Sequence, residues 1–452
     1  MRSNHASGVA RGSSSPSRAD ASHRQSRRIP IWLKTTIFPA ITGVCIAAAT
    51  GTAHAEIPQP APVVRAENRL AIDLYKALRR QPGNLLLSPY SIGRLLGMVY
   101  AGAKGDTAAE IAGVLHWCAQ DDADKNSRNP NLLDVARADA AQIKALVSGQ
   151  PKDFVFLAAD ALWVAPDMKL SPDFSRTIQQ DFSGTVQRVD FSDAAAAAGT
   201  INQWVKKNTH GKITDIIDPD TLSPYSRLAL TDAVYFKASW ASPFEKSDTT
   251  ERSFHVDSGT EVTAAMMYRS GLVKIAQADG AQVLVLPYKG NASMVVVLPE
   301  RQDGLADLEA TLSAERLDAW LASATMTEVK IWLPTFQSAT SVDLSNTLKT
   351  LGMRKAFSQV EADFTGIELT PGTSPHISQV LHKAFIDTDE GGTEAAASTS
   401  ATFMATAMPP SKEEPVRFMA DHPFLYFIRD NDSGVVLFVG RVANPAKRDD
   451  AR

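Results

Sequence analysis

"HISQVLHKAFIDTDEGGTEAAAST", residues 376–399, joins two kinds of sequence that rarely meet. Its first half contains "ISQVLHKAFI", an apolar run of strand type with one histidine, His382, in the middle. A solitary histidine in such a run reads first as a hydrogen-bonded core residue. Asp387, Thr388, Asp389 and Glu390 follow, and then the pair Gly391-Gly392. From Gly391 to Thr402 every residue except Glu394 is small or hydroxylated, and "SATFMATAMPPSKEEP" (400–415) closes in a proline pair and a charged run. By composition alone, the stretch after the glycines is a flexible linker.

Around this stretch lies a chain of 452 residues, 44% hydrophobic and 21% charged, with a net charge of -4. That length allows one large core or two domains. The near-neutral balance argues against a nucleic-acid partner, which would call for a basic face. After the N-terminal region no apolar run approaches the ~20 residues of a membrane span.

The first 55 residues have a character of their own. Arg24, Arg27, Arg28 and Lys34 precede an apolar or small-residue run from Ile37 to Thr50, and Ala53-His54-Ala55 follows. Basic region, apolar segment and A-x-A site together predict an export signal, residues 1–55, cleaved near Ala55. The bland alternative is a disordered basic tail. Ser26-Arg27-Arg28 hints at twin-arginine export, although Ile-Pro-Ile-Trp after it fits poorly; Val44 before Cys45 is too bulky for a lipoprotein site. The expected product, residues 56–452, is secreted or periplasmic. It keeps one cysteine, Cys118, and so can form no internal disulfide.

In that product, helical spacing is seen over Arg65–Arg79, Ser91–Tyr100, Thr107–Leu115 and 132–148, with a further helix starting at the Ala194 run. Strand-like runs are "FVFLAADALWV", "RLALTDAVYF", "AQVLVLPYKG", "SMVVVLPE", "EVKIWLP", "FLYFIRD" and "GVVLFVGRVANP", with a helix across Leu344 to Leu351. Early helices followed by intermixed strands predict an α+β fold in a single large domain. The chain has no Gly-x-Ser-x-Gly elbow, His-Glu-x-x-His, Cys-x-x-Cys or phosphate-cradling loop. An enzyme is not expected, nor a metal or cofactor.

Ordered motifs then point to a family. "NLLLSPYSIGRLLGMVYAGAKGDTAAEI" (84–111), "INQWVKKNTHGKITDII" (201–217), "DAVYFKASWASPF" (232–244) and "LPYKGNASMVVVLP" (286–299) resemble serpin segments. So do "LPTFQSATSVDLSNTLKTLGM" (333–353), "ADFTGI" (362–367), residues 376–399 and "FMADHPFLYFIRDNDSGVVLFVGRVANP" (418–445). The resemblance covers essentially all of 60–447. It implies the serpin fold, with about nine helices, three β-sheets and an exposed reactive-centre loop, here about 390–415. It also implies a suicide-type inhibitor of serine proteases. The protease cleaves the loop, the freed part enters the main sheet as a strand, and the acylated protease stays attached.

The loop residues suit that cycle. Glu390, Gly391, Gly392, Thr393, Glu394, Ala395, Ala396, Ala397, Ser398 and Thr399 form the hinge. The two glycines lack Cβ restrictions. In a strand, alternate side chains face opposite ways, and the family pattern turns Thr393, Ala395, Ala397, Thr399 and Ala401 inward, every one of them small. No proline occurs between Glu390 and Met408, so no ladder bond is lost. A new central strand of roughly a dozen residues, at ~0.5–1.5 kcal/mol per hydrogen bond, returns on the order of 10 kcal/mol. The uncut fold is therefore expected to be metastable. Non-inhibitory relatives often carry bulky, charged or proline residues in the hinge; here, after Gly391, the one such residue is Glu394, which the family pattern turns outward. The alternative remains a non-inhibitory serpin acting as carrier, chaperone or storage protein.

Counting from Glu390, the family's loop length puts the cut at Thr406-Ala407; counting back from Phe418 lands near Pro409, so Met404 and Met408 stand as alternatives. No Lys or Arg lies between Glu390 and Ser411, which favours elastase-, chymotrypsin- or subtilisin-like targets, with a papain-like cysteine protease as a second class. The resemblance also assigns a polar cluster beneath the main sheet to Ser88, Ser91 and His382, with Asp232 where the family usually has asparagine, and it puts Trp240 at the sheet's upper opening. A carboxylate beside His382 would favour the imidazolium and hold the closed sheet more firmly in acid. Residues 132–148 balance Arg137 and Lys144 against Asp134 and Asp139, so no strong heparin site is expected. The protein is expected to be a monomer without nucleic-acid or membrane partners.

Overall fold

The computed structural model describes residues 62–117, 134, 137, 141, 150–152, 154–182, 184–370, 375–393 and 414–447. The chain divides into Met1–Glu56 and Ile57–Arg452, and every described residue belongs to the second unit. The predicted signal lies outside the described residues.

Helix α1 (Pro62–Leu78) buries Leu70, Leu74, Tyr75 and Leu78 at the i, i+4, i+8 spacing of one face. Helix α2 (Pro89–Tyr100) opens with a proline at its first position, where the missing N–H costs nothing, and is buried nearly all round. It is the central helix, and that is why its polar residues matter below. Helix α3 (Gly105–Val114) follows, then α4 (Pro172–Asp181), capped by Ser171, and α5 (Ala194–Asn208), whose first turn is capped by the Asp193 carboxylate. The alanine run thus begins a helix. Helices α6 (Leu305–Thr311), α7 (Ala314–Ser323) and α8 (Ser345–Leu351) complete the eight with described bounds. The helix expected over 132–148 falls mainly outside the described residues.

One sheet has six strands in the order β10 (Phe336–Asp343), β11 (Ile377–Asp389), β12 (Gly392–Thr393), β4 (Leu228–Ser239), β2 (Val155–Val164) and β3 (Thr185–Arg188). Over most of its length β11 runs parallel to β4, Ile377–Phe385 against Leu228–Tyr235. At one end the short β12 stands between them, antiparallel to both.

The remaining strands are β1 (Leu85–Leu87), β5 (Thr250–His255), β6 (Glu261–Ala278), β7 (Ala281–Pro287), β8 (Ala292–Pro299), β9 (Thr325–Pro334), β13 (Val416–Met419), β14 (Phe424–Asp430) and β15 (Val436–Val442). They form one nine-stranded network. Three sheets are expected, and the described residues make two hydrogen-bonded networks. The cause is β6, 18 residues long, which pairs β5 at its start, β9 along its middle and β7 at its end and so joins two sheets edge to edge. Aromatic side chains stitch the two networks together: Phe236 on β4 lies 5.4 Å from Tyr288 and 5.7 Å from Phe438, and Phe156 on β2 lies 5.8 Å from Phe438.

Candidate functional site

The end of β4 that receives β12 is built around Trp240. Its indole is buried and stacks on Tyr288 at 4.5 Å and 6°, and its Nε1–H donates to the Asp389 carbonyl at 3.0 Å. The backbone N–H of Trp240 donates to the Gly391 carbonyl, and that of Phe244 to the Glu390 carbonyl, both at 2.9 Å. The Thr249 hydroxyl donates to Glu390 Oε1 at 2.7 Å. Asp389 folds back to accept the N–H groups of Gly391 (2.8 Å) and Gly392 (3.2 Å); burial pushes its carboxyl up while these two bonds oppose the shift.

Gly392 and Thr393 then enter the sheet. Gly392 has φ +150°, and a Cβ there would overlap the Ala238 carbonyl oxygen and stand 2.6 Å from Ser239 Cα. Only glycine passes so close to β4. Thr393 is fully buried; its hydroxyl meets the Tyr288 hydroxyl at 2.7 Å and that of Thr388 at 3.3 Å. Burial drives the Tyr288 phenol far above its ordinary range, so it stays a donor at any working pH.

Six residues further along β4 lies a second polar site. Asp160 on β2, Asp232 on β4 and His382 on β11 are direct cross-strand partners, a row across three strands. Helix α2 supplies their other neighbours. His382 Nδ1 stands 2.9 Å from Asp232 Oδ2, while the Ser88 backbone N–H donates to His382 Nε2 at 3.2 Å. The Ser88 hydroxyl donates to the Leu437 carbonyl at 2.9 Å. Ser91 Oγ lies 2.6 Å from Asp232 Oδ1 and 3.2 Å from Asp160 Oδ1, and Arg94 clasps Asp160 Oδ2 with Nε and Nη2. All six side chains are buried.

This geometry shifts the expectation placed on His382. With Nε2 accepting from Ser88, the proton sits on Nδ1 and points at Asp232; an imidazolium would set N–H against N–H at Ser88. Asp160 and Arg94 are the residues that sequence reasoning missed. Their signal was one acid in "FLAADALWV" and one cation in "SIGRLLGMVY", each alone among apolar neighbours. Burial is the largest influence on the Asp160 carboxyl, and with the Asp232 charge it outweighs Arg94, pushing it up to about 7.

Ser88, Ser91, Asp232 and His382 thus meet in one cluster, and Glu390, Gly391, Gly392 and Thr393 meet Trp240 in another. Glu394, Ala395, Ala396, Ala397, Ser398 and Thr399, the scissile candidates Thr406-Ala407, Met404 and Met408, and Cys118 lie outside the described residues. Among the described residues no group of three His, Cys, Asp or Glu side chains could hold a metal, and no helix is long and apolar enough to cross a membrane.

A sheet with a two-residue strand entering between parallel neighbours, over a buried polar row, agrees with the family comparison. The model of the serpin (serine protease inhibitor) family matches residues 65–445. The chain is 39% identical over 389 residues to an uncharacterized serpin-like protein of Thermococcus kodakarensis, covering 86% of this chain and 87% of that one. It is 32% identical over 392 residues to human leukocyte elastase inhibitor, covering 84% and 98%. The solved structure of human thyroxine-binding globulin superposes with a TM-score of 0.75 at 27% identity, covering 85% and 99%. This chain belongs to the serpin family.

Proposed function

We propose that the chain is a suicide-type inhibitor of serine proteases that traps the acyl-enzyme by drawing its cleaved loop between β4 and β11. The observation that carries this reading is β12, where Gly392 and Thr393 already hydrogen-bond both strands. Growth in the same register brings each later residue to a definite place. Thr393 opposes Ala238 and Thr388, so the residue six further on, Thr399, would oppose Asp232 and His382 together. Residues 395, 397, 399 and 401 would share the face of Thr393, and each is alanine or threonine. Small side chains are what a packed core can admit.

The cut at Thr406-Ala407, with Met404 and Met408 as alternatives, and the lack of a basic residue in the loop suit elastase-, chymotrypsin- or subtilisin-like proteases. A papain-like cysteine protease is the second class. Similarity to leukocyte elastase inhibitor supports the first group. The protein would act as a monomer, secreted or periplasmic, after loss of residues 1–55. Mixing it with each protease and running denaturing gels tests the proposal: a covalent complex is expected, and cleavage without any complex would favour a carrier, chaperone or storage role instead.

A further inference from the structure

The buried row under the sheet carries more charge than its neighbours balance. Asp160 and Asp232 are directly opposed on β2 and β4, a placement that repels when both are ionised. Arg94 supplies one positive charge, and His382, accepting from Ser88, supplies none. The sealed site is therefore one negative charge in excess. The single Ser91 proton is contested as well. It can go to Asp232 at 2.6 Å or to Asp160 at 3.2 Å, and the other contact is then oxygen against oxygen without a hydrogen. One added proton on Asp160 Oδ1 completes the chain: Asp160 donates to Ser91, Ser91 donates to Asp232, and His382 Nδ1–H donates to Asp232 from the other side. Arg94 keeps its hold on Oδ2 throughout.

We propose that Asp160, positioned by Arg94, is a proton-linked latch on the main sheet: the closed sheet binds one proton here that the opened sheet releases, so strand insertion is slow in acid and quickens as pH rises. The proposal rests on the insertion mechanism given above, because His382 and Asp232 belong to the β4–β11 ladder that an entering strand must part. Parting that ladder admits water to the row and removes the burial that favours the protonated form. Arg94 and Asp160 also line a cavity of about 240 Å³ beside Thr185, Trp204 and Asn208.

The groups facing Asp160 are known from each element packed on it. Helix α2 brings Arg94, Ser91 and, beside Arg94, Tyr90; β4 brings Asp232, with His382 of β11 behind it; β3 brings the neutral Thr185, and α5 the neutral Trp204 and Asn208. The sign follows from burial as the largest influence on the Asp160 carboxyl. A carboxyl that binds its proton more tightly in the closed sheet stabilises that sheet fully at low pH, and the stabilisation fades between the ordinary carboxylate range, ~4, and about 7.

The test uses the intact protein and a synthetic peptide of residues 391–404, with annealing followed by the gain in heat resistance. Wild type is expected to anneal about thirtyfold faster at pH 8 than at pH 5.5, because pH 5.5 lies about 1.5 units below the raised carboxyl and each unit of linkage gives tenfold, and Asp160→Asn to lose most of that slope. Equal rates at the two pH values, or an unchanged slope in Asp160→Asn, overturn the latch. A slope lost in His382→Asn but kept in Asp160→Asn also overturns it. As a second measurement, the Asp160 carboxyl carbon resonance in aspartate-labelled protein is expected to titrate near 7; titration near 4 overturns the latch even if the peptide never anneals or the variants fail to fold. The inhibitory reading is judged separately on the protease gel, so a sloped annealing rate without covalent complex would sink that reading and leave the latch standing.

Discussion

Substituting alanine for Gly392 tests the hinge at the point of closest approach. The added methyl would overlap the Ala238 carbonyl oxygen and lie 2.6 Å from Ser239 Cα and 2.9 Å from the Trp240 nitrogen, all of them backbone atoms that cannot swing aside. Holding a non-glycine residue at φ +150° costs about 1–3 kcal/mol, and forcing the methyl into a packed site about as much again. Against that total of ~2–6 kcal/mol stand the contacts that hold the hinge. The Trp240 N–H to Gly391 bond, the Phe244 N–H to Glu390 bond, the Thr249 hydroxyl to Glu390 bond and the Thr393–Tyr288 hydroxyl pair return about 0.5–1.5 kcal/mol each. The two sums are of like size, so the methyl cancels most of the anchoring and the hinge should open far more often. Hydrogen exchange reads this directly: the Trp240 and Phe244 amides, which donate to Gly391 and Glu390, should exchange at least tenfold faster in Gly392→Ala while the β2–β4 ladder stays protected. The same residue must also pass β4 in the fully inserted strand, so more inhibitor should be consumed per protease trapped. If Trp240 and Phe244 keep wild-type protection, the steric reasoning about this glycine is refuted.

Three further outcomes follow from the same contacts. Thr393→Glu puts a carboxylate where the side chain is fully buried, at a cost of several kcal/mol; proteases should cut the loop and be released, and a normal yield of covalent complex would contradict this. Arg94→Met strips the cation from a buried pair and should destabilise the fold by about 3–5 kcal/mol at pH 8, as read from urea midpoints. The deficit should shrink at pH 5.5, because the Asp160 carboxyl, already raised to about 7, then takes a proton and no longer needs the guanidinium; an equal deficit at both values would count against the charge accounting. Tyr288→Phe removes one hydroxyl partner of Thr393 and should cost about 1 kcal/mol of hinge anchoring, visible as roughly fivefold faster exchange at Trp240 and no change in β14.

Much of the fold could be read from local pattern. The runs that became β2, β4, β7, β8, β14 and β15 are continuous and apolar because both faces of those strands are buried or nearly so. Strand β6 escaped notice, since its burial alternates and its centre holds Arg269, Ser270, Gly271 and Lys274. The short helices α6 and α7 and the strand β10 likewise gave only weak periodic signals. Strand β12 has two residues and no period at all; it exists because β4 and β11 leave room between them at one end.

What the chain order determined by itself was chemical suitability: glycines where a backbone must pass closely, small side chains where a core must accept them, and the ordered motifs that mark the family. What the tertiary structure alone decided was company. A period of two tells which face a strand residue takes but not which residue will stand beside it. Asp160, Asp232 and His382 are 72 and 150 positions apart along the chain, and only the register of three strands over α2 makes them one electrostatic unit with Arg94.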